Sequence, residues 1–421
     1  MTHLIVLCAW LLGAAPQAVT PGEVIADIRV HGNHLTTDDE VIQLSGLKKG
    51  APVTADTIQQ ATKALKSSGK FDDVQVLKRF ASIEDATQIV IMLIVNEGPV
   101  RIELPIDEGP GARARLVRRG AASNLMYMPI LDAEDGYAPR FGLRVAYVGS
   151  ARSKTRVSFP FTLGGERRVG AELEKGFTNG RIQFGGALTS SKHPFYEETD
   201  RRQRAWARVE GTAKKLHLGG TTSWQRINFG GARDKVLTIG GDVLIDTRLD
   251  PMLPRNAVYL LASVEQNRVT PESTSVSRTI TRTKVDASGY LGTFGQTVLM
   301  ARVVREDAST SAPAYFKSLL GGQSNLRGFE TASFSGDTLV AGTVELRSPL
   351  GSPLNLAKLG IRVFADAGTV YDKGQRYKDQ TLKQGYGGGI FLTAAIFHLN
   401  LDVAHGKGAG TRVHFGGGIS F

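Results

Sequence analysis

Residues 155–163 read TRVSFPFTL, and their alternation sets the fold class. Val157, Phe159, Phe161 and Leu163 fall on one side of an extended chain, Arg156, Ser158 and Thr162 on the other. Successive side chains of a strand point to opposite faces, so this stretch carries one apolar and one polar face. The pattern recurs in FGLRVAYVG (141–149), where Phe141, Leu143, Val145 and Tyr147 align. In AVYLLASVEQ (257–266), Val258, Leu260, Ala262 and Val264 oppose Ser263 and Glu265. In FHLNLDVAHG (397–406), Phe397, Leu399, Leu401 and Val403 oppose His398, Asn400 and Asp402. A soluble sandwich would pack such apolar faces together. A membrane barrel turns them to lipid and lines its lumen with the polar faces.

The rest of the chain favours the barrel. About 310 residues follow a proline- and glycine-rich linker and, at roughly 19 per strand and turn, give ~16 strands, an even number typical of outer-membrane barrels. The expected strands begin near 111, 138, 152 and 166, and the last begins near 410. MTHLIVLCAWLLGAAPQAVT (1–20) has the apolar centre and small-residue end of a secretory signal peptide. The single cysteine, Cys8, lies in it, so the exported chain would have no thiol for catalysis, disulfides or metal. Beyond it no apolar run approaches the ~20 residues of a membrane helix. Lys and Arg outnumber Asp and Glu by 51 to 40, but the arginines are scattered at strand spacing, and nucleic acid is not an expected partner.

Residues 24–97 follow another rule. VIADIRVHGN suggests a strand ending in a turn at Gly32-Asn33, and Thr37 with Glu40 has capping-box spacing for a short helix through Leu44. A second helix is expected over 54–68, with Gly69 at its left-handed end. FDDVQVLKRF and QIVIMLIVNEGP then alternate as two strands. The order is β-α-α-β-β. Residues 98–112 form the linker, and the barrel takes 113–421. The expected fold is therefore mainly β: one small α+β domain, then an antiparallel transmembrane barrel.

One stretch fits neither strand nor ordinary turn: GGQSNLRGF, 321–329. It is not a phosphate-binding P-loop, because Gly328 is followed by Phe329 and Glu330 instead of Lys-Ser/Thr. Nor is it a nucleophile elbow, since no glycine stands two residues after Ser324. No HExxH occurs. No enzymatic activity, cofactor or metal site is expected.

Together these features resemble a known family. The small domain, with VHGN, LKKG and SSGKFDDV, resembles a POTRA domain. GGQSNLRGF resembles the RGF motif on the long sixth extracellular loop of the BamA/TamA family of outer-membrane assembly and translocation proteins. VFADAG (363–368) resembles that family's F-x-D-x-G strand motif through Phe364, Asp366 and Gly368. DTRLDPMLPR (246–255) is similar to another of its segments, with Asn256 and Ala257 where a glycine often follows. HFGGGISF resembles its C-terminal strand signal through His414, Gly416, Ile419 and Phe421.

The resemblance implies an outer-membrane barrel with its POTRA domain in the periplasm, inserting or translocating unfolded or extended polypeptide clients, with accessory assembly subunits as further partners. The alternative is a passive channel or structural barrel without a client. It also implies that Arg327, Gly328 and Phe329 fold into the lumen, where Arg327 meets Asp366, with Glu345 as the second carboxylate. Departures bear on the client: there is one POTRA domain, and neither a plug helix nor a patatin-like esterase domain is apparent in the sequence.

Overall fold

A computed structural model describes residues 22–33, 36–54, 56–71, 73–81, 85, 87–97, 101–103, 115–117, 125–149, 154–248, 253–351, 357–394 and 397–419. The expected signal peptide, most of the linker, and Phe421 lie outside the described residues.

The N-terminal domain is built from β1 (Val24–His31), α1 (Asp38–Ser45), α2 (Thr57–Ser67), β2 (Asp73–Phe80) and β3 (Gln88–Asn96). Its sheet has the order β1-β3-β2, with β1 parallel and β2 antiparallel to β3. Thr37 caps α1 by accepting the Glu40 N–H, and Gly46 closes it with φ 73°. The second helix begins at Thr57, later than expected, because Thr54 is spent on a turn in which Thr57 N–H donates to its carbonyl. Ile25, Val41, Ala61, Leu65, Val74, Ile89, Ile91 and Leu93 form the core between helices and sheet.

A two-stranded ladder, β4 (Arg101–Glu103) with β5 (Arg115–Val117), precedes the barrel. The first barrel strand is β6 (Leu125–Glu134), not a strand near 111: residues 115–117 pair with 101–103 instead. Then come β7 (Arg140–Val148), β8 (Thr155–Gly164), β9 (Glu166–Phe177), β10 (Gly180–Lys192) and β11 (Thr199–Ala213). The far wall is β12 (Leu216–Phe229), β13 (Ala232–Asp246), β14 (Ala257–Pro271), β15 (Arg278–Gly292) and β16 (Val298–Ala308). The sixth loop, with the short β17 (Ser318–Leu320) and β18 (Phe334–Gly336), leads to β19 (Thr338–Gly351). The chain ends with β20 (Lys358–Tyr371), β21 (Lys383–Ala394), β22 (Phe397–Gly406) and β23 (Gly410–Ile419). β17 and β18 pair with each other, and the other sixteen strands close into one antiparallel barrel in chain order.

The alternation read from the sequence has a physical sense here. Phe159, Phe161, Leu163, Val264, Leu401 and Val403 are exposed on the outer wall, while Ser158, Thr162 and Asp402 are buried inside. Among the described residues no helix is long and apolar enough to cross a membrane. The N-terminal domain lies at the end of the barrel opposite the sixth loop: Lys358 Nζ donates to Phe80 O at 3.3 Å, and the Arg255 guanidinium stacks 5.3 Å above the Phe80 ring. Asn256, in the same turn, takes φ 48°, the left-handed conformation that Asn tolerates where glycine is usual.

Candidate functional site

The sixth loop folds back into the barrel. Its first limb packs Ala312, Tyr315 and Phe316 against Ile227, Val236, Val269 and Ile280 on the inner faces of β12–β15. Tyr315 also donates its hydroxyl to Asp234. The second limb carries the motif on along the inner wall to β16, β19 and β20. There Leu320, Leu326 and Phe329 pack with Val304, Leu339 and Ala341.

Arg327 is 4% exposed and is held from two sides. Its Nε and Nη2 donate to the two oxygens of Asp366, each at 2.8 Å, and its backbone N–H donates to the same carboxylate at 3.0 Å. Its Nη1 donates to Glu345 at 2.7 Å. Asp366 and Glu345 are thus simultaneous partners. The two-pronged bond fixes direction as well as depth, which a point charge cannot do. The guanidinium carbon sits 3.3 Å from the centroid of the Phe364 ring, and a cation over a ring face is attracted by its quadrupole.

The F-x-D-x-G spacing follows from the pleat. Phe364, Asp366 and Gly368 are successive inward positions of β20: a floor for the arginine, its carboxylate, and a gap. A Cβ on Gly368 would stand 2.9 Å from Leu320 of the loop. Gly385 and Gly406 do the same on β21 and β22. A Cβ on Gly406 would lie 2.4 Å from Gly328 O, and one on Gly385 1.9 Å from Arg327 O. Gly328 itself has φ 89°, where a side chain is strained. The loop backbone lies flat against a wall stripped of side chains.

Two features escaped the sequence reading. Arg362 bonds Asp402 through Nε at 2.7 Å and Nη2 at 2.5 Å, and Arg347 donates to Glu345. Three carboxylates and three guanidiniums thereby balance in one cluster, buried except at the partly exposed Arg347. The inward parity of Asp402 in β22 was the available signal. His414 was the second. It was read only as part of a C-terminal signal, yet it is fully buried and joins three elements. Its Nε2 accepts the Gly328 N–H at 2.8 Å, which puts its proton on Nδ1, facing Asp135 Oδ2 at 3.0 Å. Gly416, two residues on, faces the Gln323 side chain; Ile419 is half-buried at the end of β23.

Asp135 follows β6 directly, so His414 and the sixth loop meet both edges of the barrel's closing seam. Thr331 Oγ1 donates to Asp135 O at 2.6 Å. The seam itself is short. Among the described residues β23 and β6 pair over Gly416–Gly418 with Asp132–Glu134, extended by the Asp135 N–H donating to Phe415 O at 2.8 Å, whereas β11 and β12 pair over all of Asp200–Ala213. Along Leu125–Leu131, β6 has β7 on one side and no described partner on the other. Pro129, with no N–H, sits within this edge segment.

The Omp85 superfamily domain matches residues 137–421, and the POTRA surface antigen variable number repeat matches residues 23–98. The chain belongs to the Omp85 superfamily. No curated protein matches it at a significant level. Among solved structures it resembles BamA from Haemophilus ducreyi lacking POTRA domains 1–3, at 12% identity, over 95% of this chain and 85% of that one, with a TM-score of 0.58. It also resembles CdiB from Escherichia coli, at 12% identity over 100% and 97% of the chains, with a TM-score of 0.53. CdiB from Acinetobacter baumannii is similar at 11% identity over 95% and 74%, with a TM-score of 0.51. At such identities the likeness is one of fold. Omp85 barrels are outer-membrane proteins whose POTRA domains are normally periplasmic, and this chain has a single POTRA domain.

Proposed function

We propose that this Omp85 protein inserts or translocates polypeptides at the outer membrane, using strand pairing in place of bond chemistry. The POTRA domain lies in the periplasm, and the edge of β2 beside α2 takes an extended client segment by adding a strand to the sheet. The client then passes to the seam. The observation that carries this reading is that, among the described residues, β6 has no partner on its second edge over Leu125–Leu131, next to a closure of a few residues. Unpaired backbone groups are costly in lipid, and a client strand satisfies them. A passive channel is less well supported, because the sixth loop folds into the lumen and packs on its inner face from β12 to β19.

The test is to place photocrosslinkers at Tyr127 and Leu131 on the β6 edge and, for comparison, at Leu218 and Ile239 on the far wall. Adducts to other polypeptides at the β6 positions alone support the proposal. Depletion of the protein should also lower particular outer-membrane proteins or secreted chains. An unchanged outer-membrane and secreted proteome, with no adducts at either wall, would leave the client-free barrel as the better reading.

A further inference from the structure

The outer wall is not electrically uniform. At the barrel end opposite the POTRA domain, β9–β14 carry basic side chains at outward positions: Arg167, Arg201, Arg226, Arg233, Lys235 and Arg268. Their direction follows from their neighbours. Asp234 reaches Tyr315 inside the barrel, so Arg233 and Lys235 point out; Ile227 is in the inner cluster, so Arg226 points out. Ladder register sets three of the arginines in one row across the sheet: Arg167 faces Ser190, Ser190 faces Arg201, Arg201 faces Asn228, and Asn228 faces Arg233. In the next row Gln203, Arg226, Lys235 and Thr270 stand side by side. Rows alternate about 7 Å apart and strands about 5 Å, so the six cations share one face.

Few carboxylates answer them. Glu272 lies 3.2 Å from Arg226 and 4.0 Å from Lys235. Among the described residues no carboxylate pairs with Arg167, Arg201, Arg233 or Arg268. The opposite side of the barrel differs: the upper outward positions of β20–β23 and β6–β8, such as Ala367, Tyr386, Val413, Leu131 and Phe141, hold no lysine, arginine or carboxylate.

Directly beneath the cations the wall is dented. Phe184, Gly186, Ala205, Ala207, Trp224 and Leu237 line a shallow, almost wholly apolar groove of about 600 Å³. Small residues at 186, 205 and 207 make the floor, and Phe184 and Trp224 stand at its sides. A cationic rim above an apolar trough is complementary to one kind of molecule: an amphiphile with an anionic head and a hydrocarbon tail.

We propose that this face is a binding site for an anionic, phosphate-bearing membrane lipid, its head on the arginine rows and one acyl chain in the groove. The proposal rests on reading the barrel as membrane-embedded with its sixth-loop end at the outer leaflet. Guanidinium groups suit phosphate because they donate two parallel hydrogen bonds. The site lies on the wall away from the β6–β23 seam. A bound lipid would brace β9–β14 while leaving the seam free.

Trp224 is a built-in reporter. The chain has three tryptophans; replacing Trp10 and the lumenal Trp206 by Phe leaves Trp224 in the groove. The protein is reconstituted into phosphatidylcholine vesicles containing a small, equal fraction of either brominated phosphatidylglycerol or brominated phosphatidylcholine, whose bromines quench nearby indoles. The anionic lipid should quench more strongly at low salt, with an enrichment on the order of fivefold per cation engaged, and high salt should weaken the preference. The triple variant Arg201→Gln, Arg226→Gln, Lys235→Gln should quench equally with both lipids while keeping the gel mobility of a folded barrel. Equal quenching by both lipids in the parent overturns the proposal, as does a preference that survives the triple change. If neither lipid quenches Trp224, the membrane reading of the barrel itself fails, and the proposal fails with it.

Discussion

The sixth-loop anchor and the barrel seam are neighbours held by opposite means. Arg327 is locked by charge-assisted bonds to two carboxylates, over an aromatic floor, in a bed of glycines. Among the described residues, the seam beside it is closed by the pairing of Gly416–Gly418 with Asp132–Glu134 and by the Asp135 N–H donating to Phe415 O. His414 belongs to both, since its ring ties Gly328 to Asp135 across β23. The difference separates two jobs. A buried bidentate pair gives one arrangement, whereas a short ladder between glycines can part at the cost of a few hydrogen bonds, each worth about 0.5–1.5 kcal/mol net.

The largest expected effect is at the anchor. Arg327→Ala leaves Asp366 buried without its cation and removes one of the partners of Glu345, and breaking one side of such a pair commonly costs about 3–5 kcal/mol, less where lumenal water reaches it. Protease should cut the sixth loop readily in this variant while the strands stay protected. Arg327→Lys should be nearly as harmful, because an ammonium cannot bond both oxygens of Asp366 and Glu345 at once. In double-mutant cycles Asp366→Ala should couple to Arg327→Ala more strongly than Glu345→Ala does, since Glu345 keeps Arg347. Equal couplings would show that the second carboxylate anchors the loop as firmly as the first.

Gly406→Ala should come next. Its new methyl group would stand 2.4 Å from Gly328 O, so the loop must lift although no charge has changed. The expected result is loop proteolysis close to that of Arg327→Ala. A silent Gly406→Ala would mean that the loop does not lie flat on β22.

His414→Ala sharpens the comparison from the other side. It removes the acceptor for Gly328 N–H and the link to Asp135, a loss of about 1–3 kcal/mol for a buried group left unpaired. Amide exchange should quicken at Asp132–Glu134 and Gly416–Gly418 and stay slow along β11–β12. Exchange that rises evenly around the barrel would give His414 a general structural role instead. The smallest effect is expected from Tyr315→Phe, on the far wall. One hydrogen bond to Asp234 is lost, about 1 kcal/mol, while the apolar cluster of Ile227, Val236 and Phe316 keeps that limb in place.

Much of this was legible in the sequence, for reasons tied to strand geometry. Period-two alternation named the outer wall at Phe159, Phe161, Leu401 and Val403 because lipid and lumen select opposite residues at alternate positions. Asp366 and Glu345 became the partners to consider for Arg327 through the resemblance of the loop and strand motifs. What alternation could not give was reach across the lumen: nothing local in HFGGGISF says that His414 meets a loop glycine 86 residues earlier. The first barrel strand was misplaced because β6 is an edge. Its stretch LMYMPILDAE contains Pro129, and Met126, Met128 and Ile130 put apolar side chains on both faces, which blurs the alternation. The outward arginines of β9–β14 looked like scattered charge until the register set them in rows.

The central claim is that the barrel works by parting between β6 and β23. A disulfide tests it directly: Glu134→Cys with Gly416→Cys, placed opposite each other in the ladder, in a background with Cys8 replaced by Ser. A Cβ at Gly416 meets only the flexible Gln323 side chain, at 3.2 Å, so the barrel should accept the change. Crosslinked in full, the protein is predicted to keep its folded gel mobility, to lose client insertion or export, and to regain it with reductant. Undiminished client handling by the fully crosslinked barrel would contradict the account.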